Sequence, residues 1–118
     1  MAERVVIGIM PRADFKKYTL EIARGERKPK RGEPKIWFDS TESMAQILST
    51  KNRELLRIIR NEKPESIIKL AASSGRQKSN LTRTLKTMQE YGIVSLERHG
   101  KTIKPKVLVD EFIASFGL

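Results

Sequence analysis

Between residues 40 and 110 the sequence contains, in order, the signals for four helices and a β-hairpin, and few folds accommodate that order. The fourth helix, from about Gln77 to Tyr91, has the clearest pattern. Its apolar residues are spaced four and then three apart, which places them on one face of a helix: Leu81, Leu85 and Met88. Gly92 follows as a typical C-terminal glycine. The sequence therefore predicts one long helix buried along a single stripe.

Three shorter helices precede it, each with apolar residues on one face. We expect them to begin at Ser40 or Thr41, at Thr50 and at Glu65. The turn at residues 73–75 (Ser-Ser-Gly) separates the third from the fourth. We expect the third helix to pack against the fourth through Ile68 and Leu70.

Two alternating segments, residues 93–97 and 102–109, follow the last helix and flank the turn Arg98-His99-Gly100-Lys101. Alternation around a glycine-containing turn predicts a β-hairpin. Pro105 indicates that the second strand is an edge strand, because proline cannot donate a backbone hydrogen bond.

The first 40 residues have a different pattern. Arg4 to Met10 is a β-branched run that predicts a strand, and Asp14 is the expected N-cap of a helix. That helix carries an apolar stripe of Phe15, Tyr18 and Ile22. Residues 26–35 are rich in Lys, Arg and Pro and predict a solvated loop, and residues 36–38 predict a second strand.

Together these elements predict an α+β fold: a winged helix-turn-helix domain, with a three-helix core and a β-hairpin wing, preceded by a strand–helix–strand extension. The expected boundaries are 1–40 for the extension, 41–110 for the winged-helix domain and 111–118 for a C-terminal tail. The extension is the segment expected to mediate dimerisation or partner binding.

The net charge predicts a polyanionic partner. The 118 residues include 24 Lys or Arg against 14 Asp or Glu, a formal charge of +10, which favours nucleic acid over an anionic membrane surface. There is no cysteine, no apolar run of membrane-spanning length and no secretory signal, so we expect a cytoplasmic protein that binds no membrane.

No set of residues predicts catalysis. His99 is the single histidine, the chain has no thiol, and the glycines lack the spacing of a phosphate-binding loop. We therefore expect no enzymatic activity, no metal and no cofactor.

The candidate DNA-binding residues lie on the outward face of the fourth helix and on the hairpin. Residues 76–106 hold eight Lys or Arg and only two acids, so they carry more than half of the net charge. Arg suits guanine, Asn and Gln suit adenine, and Ser, Thr and Lys suit phosphates. The predicted set is Arg76, Gln77, Lys78, Ser79, Asn80, Thr82, Arg83, Lys86, Arg98, His99, Lys101 and Lys104.

The stretch LTRTLKTMQEYGIV at residues 81–94 resembles the recognition helix and first wing strand of MarR-like winged-helix regulators. The segments KNRELLRII at 51–59 and SIIKLA at 66–71 are similar to the two preceding helices, so the resemblance covers about residues 48–100. It implies that Gln77, Lys78, Ser79, Asn80 and Arg83 contact DNA. The layout also resembles small prokaryotic regulators, some of them encoded in toxin–antitoxin-like operons. The long dimerising helices of larger MarR proteins are absent, so we expect no small-molecule effector.

The expected function is a sequence-specific transcriptional regulator, a repressor that binds an inverted-repeat operator in double-stranded DNA as a homodimer. Two alternatives remain open. One is an antitoxin that binds DNA and neutralises a toxin protein, and the other is an RNA-binding winged-helix protein.

Overall fold

The computed structural model describes residues 3–118, which form an α+β structure with five helices and two small sheets. In chain order the elements are β1 (Arg4–Ile9), α1 (Arg12–Ala23), β2 (Ile36–Phe38), α2 (Thr41–Ile47), α3 (Thr50–Glu62), α4 (Ile67–Ser74), α5 (Lys78–Glu90), β3 (Val94–His99), β4 (Thr102–Val107) and β5 (Glu111–Ala114). The predicted order of elements up to residue 107 is confirmed.

Serine caps set the beginnings of α2, α3 and α4. The hydroxyls of Ser40, Ser49 and Ser66 each accept a hydrogen bond from the backbone N–H three residues later, at 3.1, 3.2 and 3.1 Å. Such caps satisfy donors that the first helical turn leaves without partners. The predicted beginnings of α2 and α3 are confirmed. In α4 the cap places the first helical residue at Ile67, two positions later than expected.

One face of α5 lies in the core, as its spacing predicts, since Leu81, Leu85 and Met88 are fully buried. The expected packing of α4 through Ile68 is wrong, because that side chain is 63% exposed. With the helix beginning at residue 67, the buried positions are Ile67 and Leu70, three residues apart. Ile68 is rotated away from that face.

The hairpin is confirmed, with β3 and β4 paired antiparallel and His99 opposite Thr102. Gly100, at φ 63°, and Lys101 make the two-residue turn between them. A glycine with positive φ at the first turn position is what tight hairpins prefer. Pro105 lies opposite Leu96, in a sheet that has only these two strands.

The second sheet joins the two ends of the chain. Its strand order is β2-β1-β5, and both neighbours run parallel to β1. The predicted strand–helix–strand is confirmed, but the expected N-cap at Asp14 is wrong. The helix begins at Arg12, its N-cap position is Pro11, which makes no side-chain capping hydrogen bond, and Asp14 lies in the first turn. The segment expected to be a tail contains β5, whose Phe112 lies opposite Val5. The connection from β1 to β5 therefore includes all the other elements.

Helix α1 packs on the opposite face of this sheet from the other helices. Tyr18 is its one buried residue, and its ring meets the edge of the Trp37 ring with centroids 5.8 Å apart. Gly8 makes room for that tryptophan, because a Cβ there would lie 2.7 Å from Trp37 Cζ3. Within residues 3–118, none of the helices combines the length and the apolar character needed to cross a membrane.

Candidate nucleic-acid interface

The outward face of α5 is exposed along the length of the helix. Ser79, Arg83 and Lys86 are all exposed and lie opposite the buried stripe; we call these three residues the α5 face. Their spacing of four and three places them in one row on the helix surface. The helix has 13 residues and is about 20 Å long. Its buried side chains point away from this row, so a partner can approach the row directly.

The cations of the α5 face are not neutralised by neighbouring acids. Among residues 3–118, no carboxylate oxygen lies within 4 Å of the side-chain nitrogens of Arg83 or Lys86. Glu90, the one acid on the helix, therefore forms no ion pair with Arg83. Both cations keep their donors available for an anionic partner.

Arg76, just before α5, is bound within the protein instead. Its guanidinium donates to Asn52 Oδ1 at 3.0 Å, to Asn80 Oδ1 at 3.0 and 2.7 Å and to Thr84 Oγ1 at 3.2 Å. Asn52 in turn donates from Nδ2 to the carbonyl of Ile47 at 3.0 Å. We call these four side chains the Arg76 network. The network joins the beginning of α5 to α3 and to the end of α2.

This arrangement changes what Asn80 can offer. Its Oδ1 already accepts two hydrogen bonds from Arg76, while no bond to another group of residues 3–118 is formed by its Nδ2. The side chain is exposed, so the amide N–H groups face solvent. Asn80 can therefore donate to a ligand, but it cannot make the paired acceptor and donor contact that reads adenine unless Arg76 releases it.

The hairpin turn lies beside the beginnings of α4 and α5. A small groove of about 90 Å³ is lined by residues from all three elements: Ser66, Ile67, Ile68, Lys78, Lys101, Thr102 and Ile103. Lys78 and Lys101 are both exposed at this groove. The structure thus brings together two predicted cations that are 23 positions apart in the sequence, and the exposed Ile68 lines the same groove.

Two of the other three predicted hairpin residues, Lys104 and His99, have acidic neighbours. Lys104 lies opposite Glu97 across the hairpin, and His99 Nε2 is 3.4 Å from Glu97 Oε2. The pKa of Glu65 is lowered mainly by its hydrogen bond from Lys69 and also by the nearby charge of Lys104. The charge of Lys104 is therefore partly offset by Glu97 and Glu65, which makes Lys101, at the turn, the more available cation for an anionic partner. Arg98 is exposed and lies opposite Ile103.

Gln77 and Thr82 complete the predicted set. Gln77 is the exposed N-cap residue of α5, and its side chain makes no capping hydrogen bond. The hydroxyl of Thr82 donates to the carbonyl of Lys78 at 2.9 Å, within the helix. Thr82 is only half-exposed, so the α5 face and Gln77 are the more accessible groups.

Two residues of the Arg76 network, Asn52 and Thr84, were not among the predicted site residues. The spacing of Arg76, Asn80 and Thr84, four apart each time, is a signal that could have identified Thr84 as a neighbour. No local signal connects Asn52 with Arg76, because their contact depends on how α3 crosses α5. Within the described residues, no cluster of His, Asp or Glu has the geometry to hold a metal ion.

Comparison with known proteins identifies one family. The family model described as HVO_A0114 matches residues 47–114, which run from the end of α2 through β5. No curated protein matches the chain, and no solved structure matches it.

Proposed function

The chain belongs to the HVO_A0114 family, and we propose that it is a DNA-binding transcriptional regulator in which α3, α4, α5 and the β3–β4 hairpin act as a winged helix-turn-helix. The observation that carries this proposal is the α5 face, an exposed row with two unpaired cations on a helix whose opposite side is buried. The resemblance of residues 81–94 to MarR-like regulators supports the same interpretation.

Helix α5 has the dimensions and chemistry of a recognition helix. A helix of its width fits the major groove of B-form DNA, and the three residues between α4 and α5 are typical of a helix-turn-helix. In that position Arg83 would reach a guanine edge with two parallel hydrogen bonds, while Ser79 and Lys86 would contact bases or phosphates. The Arg76 network would hold the helix at a fixed orientation.

The hairpin would supply the phosphate contacts of the wing. Lys101 at the turn and Lys78 at the beginning of α5 form one cationic surface beside the α5 face. Phosphate contacts of this type position a protein on the duplex without reading its sequence. We propose that the protein is a repressor that binds an inverted repeat as a homodimer, so that two α5 helices enter successive major grooves.

A gel-shift assay on the DNA upstream of the protein's own reading frame tests this proposal. The assay is run at two salt concentrations, with random duplex DNA and folded RNA as competitors. We expect retained binding in excess random DNA and in excess RNA, and a steep loss of affinity with salt. Equal competition by random DNA would contradict sequence-specific regulation. Stronger competition by RNA would favour the RNA-binding alternative.

A further inference from the structure

The three-stranded sheet has two open edges. Because β1 is paired on both sides, the unpaired backbone groups belong to β2 and β5. Open edges are sites where another strand can add, and proteins usually protect those that stay unpaired. The extension, which is the segment expected to mediate dimerisation or partner binding, therefore has an open edge at β2, and the second open edge belongs to β5.

The β2 edge is protected against strand addition. It has only three residues, Ile36–Phe38, and is preceded directly by Pro34 and Lys35. Residues 26–35 carry five cations against two acids. Proline and charge at an edge both disfavour pairing. A second copy of the chain would bring the same cationic loop and be repelled.

The β5 edge has the opposite character. Residues 107–118 contain two acids and no Lys or Arg, in a chain with a net charge of +10. Both acids are already paired, Asp110 with Arg60 at 3.2 Å and Glu111 with Arg4 at 3.0 Å. Residues 107–118 are thus close to neutral, while Arg53 and Arg57 of α3 line the groove beside β5. The repulsion that opposes association of two basic chains is therefore weaker at the β5 edge than at the β2 edge.

The backbone of β5 has donors available on the open side. The N–H groups of Glu111 and Ser115 donate to the carbonyls of Glu3 and Ile7, on the β1 side. Because successive residues of a strand point their backbone groups to opposite sides, the N–H groups of Phe112 and Ala114 face the open edge. They are separated by one residue, as the donors of a ladder are.

Apolar side chains surround this edge. Leu108, Ile113 and Phe116 are exposed by 39%, 37% and 53%. On the other face of the sheet a groove of about 440 Å³ lies between β5 and the helices α2 and α3, with Phe112 and Ala114 on one side. The other side is formed by the apolar residues Met44, Leu48 and Leu56 and by the arginines Arg53, Arg57 and Arg60 of α3. A strand added to β5 would cover this groove with its own side chains.

From these observations we infer that a second copy of the chain pairs its β5 with β5, antiparallel across a two-fold axis, to make one six-stranded sheet. The isologous pairing places the Phe112 of each copy at the groove of the other and brings together the two neutral edges. The inference deepens the proposed function, because such a dimer would connect two DNA-reading halves and leave both α5 faces free.

Sedimentation velocity of the full chain, in high salt and without DNA, tests the inference. We expect the wild type to sediment with the mass of two chains. Ala114→Pro removes an edge donor without removing a bond to β1, and Ile113→Glu adds a charge at the exposed apolar position. Each should raise the dimer dissociation constant about ten-fold or more. Leu20→Glu, at an exposed position of α1, is the matched control and should leave the wild-type dimer unchanged.

Circular dichroism of each variant establishes that it is folded. A wild type that is monomeric across the concentration range, or folded edge variants that both dimerise like the control, would overturn the inference. The gel shift separates this from the proposed function. A monomer that still binds its upstream DNA specifically refutes the β5 dimer alone, whereas a β5 dimer that binds no DNA refutes the regulator alone.

Discussion

The guanidinium of Arg76 lies 3.0 Å from Asn52 Oδ1, although the two residues are 24 positions apart. Asn52 is in the first turn of α3, and its Nδ2 donates to the carbonyl of Ile47, the last residue of α2. Asn52 thus donates to a carbonyl at the end of α2 and accepts from the guanidinium of Arg76 at the same time. This pairing fixes where α5 begins relative to α2 and α3, as the proposed DNA-reading role of α5 would require.

Asn52→Ala tests the structural part of this relationship. The change leaves the Ile47 carbonyl and one guanidinium N–H without their partners, so we expect a loss of about 1–3 kcal/mol in the free energy of unfolding. Urea denaturation measures it. Lys51→Ala, at the exposed neighbouring position, is the control and should shift the free energy by less than about 0.5 kcal/mol. Equal small effects of both substitutions would mean that the network contributes nothing to stability.

Arg83→Ala tests the reading of a base by the α5 face. Because Arg83 has no acidic partner in the described structure, its loss should leave stability nearly unchanged. We expect specific DNA binding to weaken by about 1–3 kcal/mol, with relaxed preference at one base position in each half-site. Fluorescence anisotropy on operator variants measures both effects. Arg24→Ala, an equal loss of charge at the end of α1, is the control. An equal loss on specific and random duplexes would contradict a base contact.

Salt dependence tests the proposed phosphate contacts. Lys78→Ala with Lys101→Ala removes the two cations that share the groove beside α4. The slope of log affinity against log salt should fall in magnitude by about two. Lys104→Ala is the comparison, and it should lower the slope by less, because Glu97 and Glu65 already lie near that cation. Similar slopes for the wild type and the double variant would show that Lys78 and Lys101 do not contact the DNA backbone.

The sequence predicted the local elements well because each has a local cause. The stripe of Leu81, Leu85 and Met88 fixes the buried face of α5, and serine caps mark the beginnings of α2 and α3. The hairpin turn at Gly100 follows from a conformation that glycine adopts readily. In α4 the helix begins at Ile67, after the cap Ser66, and not at Glu65 as expected, so the assignment of Ile68 to the core failed.

Long-range pairing could not be predicted in the same way. Nothing near residues 111–114 indicates that they add to β1, more than 100 positions earlier, and four residues of mixed character are too few for a clear strand pattern. Contacts between residues 1–40 and the rest of the chain could not be predicted either, because the sequence does not show which apolar residues of the two segments meet. Phe38 is fully buried and its ring centroid is 4.6 Å from that of Tyr91, beside the end of α5.

The carboxylate of Asp110 makes the attachment of β5 dependent on pH. It accepts hydrogen bonds from the backbone N–H of Glu3 at 2.7 Å and from Arg60 Nη1 at 3.2 Å. Both favour the charged form, the Glu3 N–H most strongly, and they lower the pKa of Asp110 below its ordinary value. A carboxyl whose pKa is lowered by folding stabilises the folded state above the pKa of the unfolded chain. That contribution is lost as the pH falls through the folded-state pKa.

We therefore expect Asp110→Asn to be less stable than the wild type by a constant amount between about pH 5 and pH 7, and by a decreasing amount below about pH 4. Urea denaturation across this range measures the difference. Arg60→Gln removes one of the two partners, so its own difference from the wild type should also shrink below pH 4 while staying smaller, because the stronger Glu3 bond remains. A difference for Asp110→Asn that stays constant down to about pH 2 would mean that the charge of Asp110 does not stabilise the junction between β1, β5 and α3.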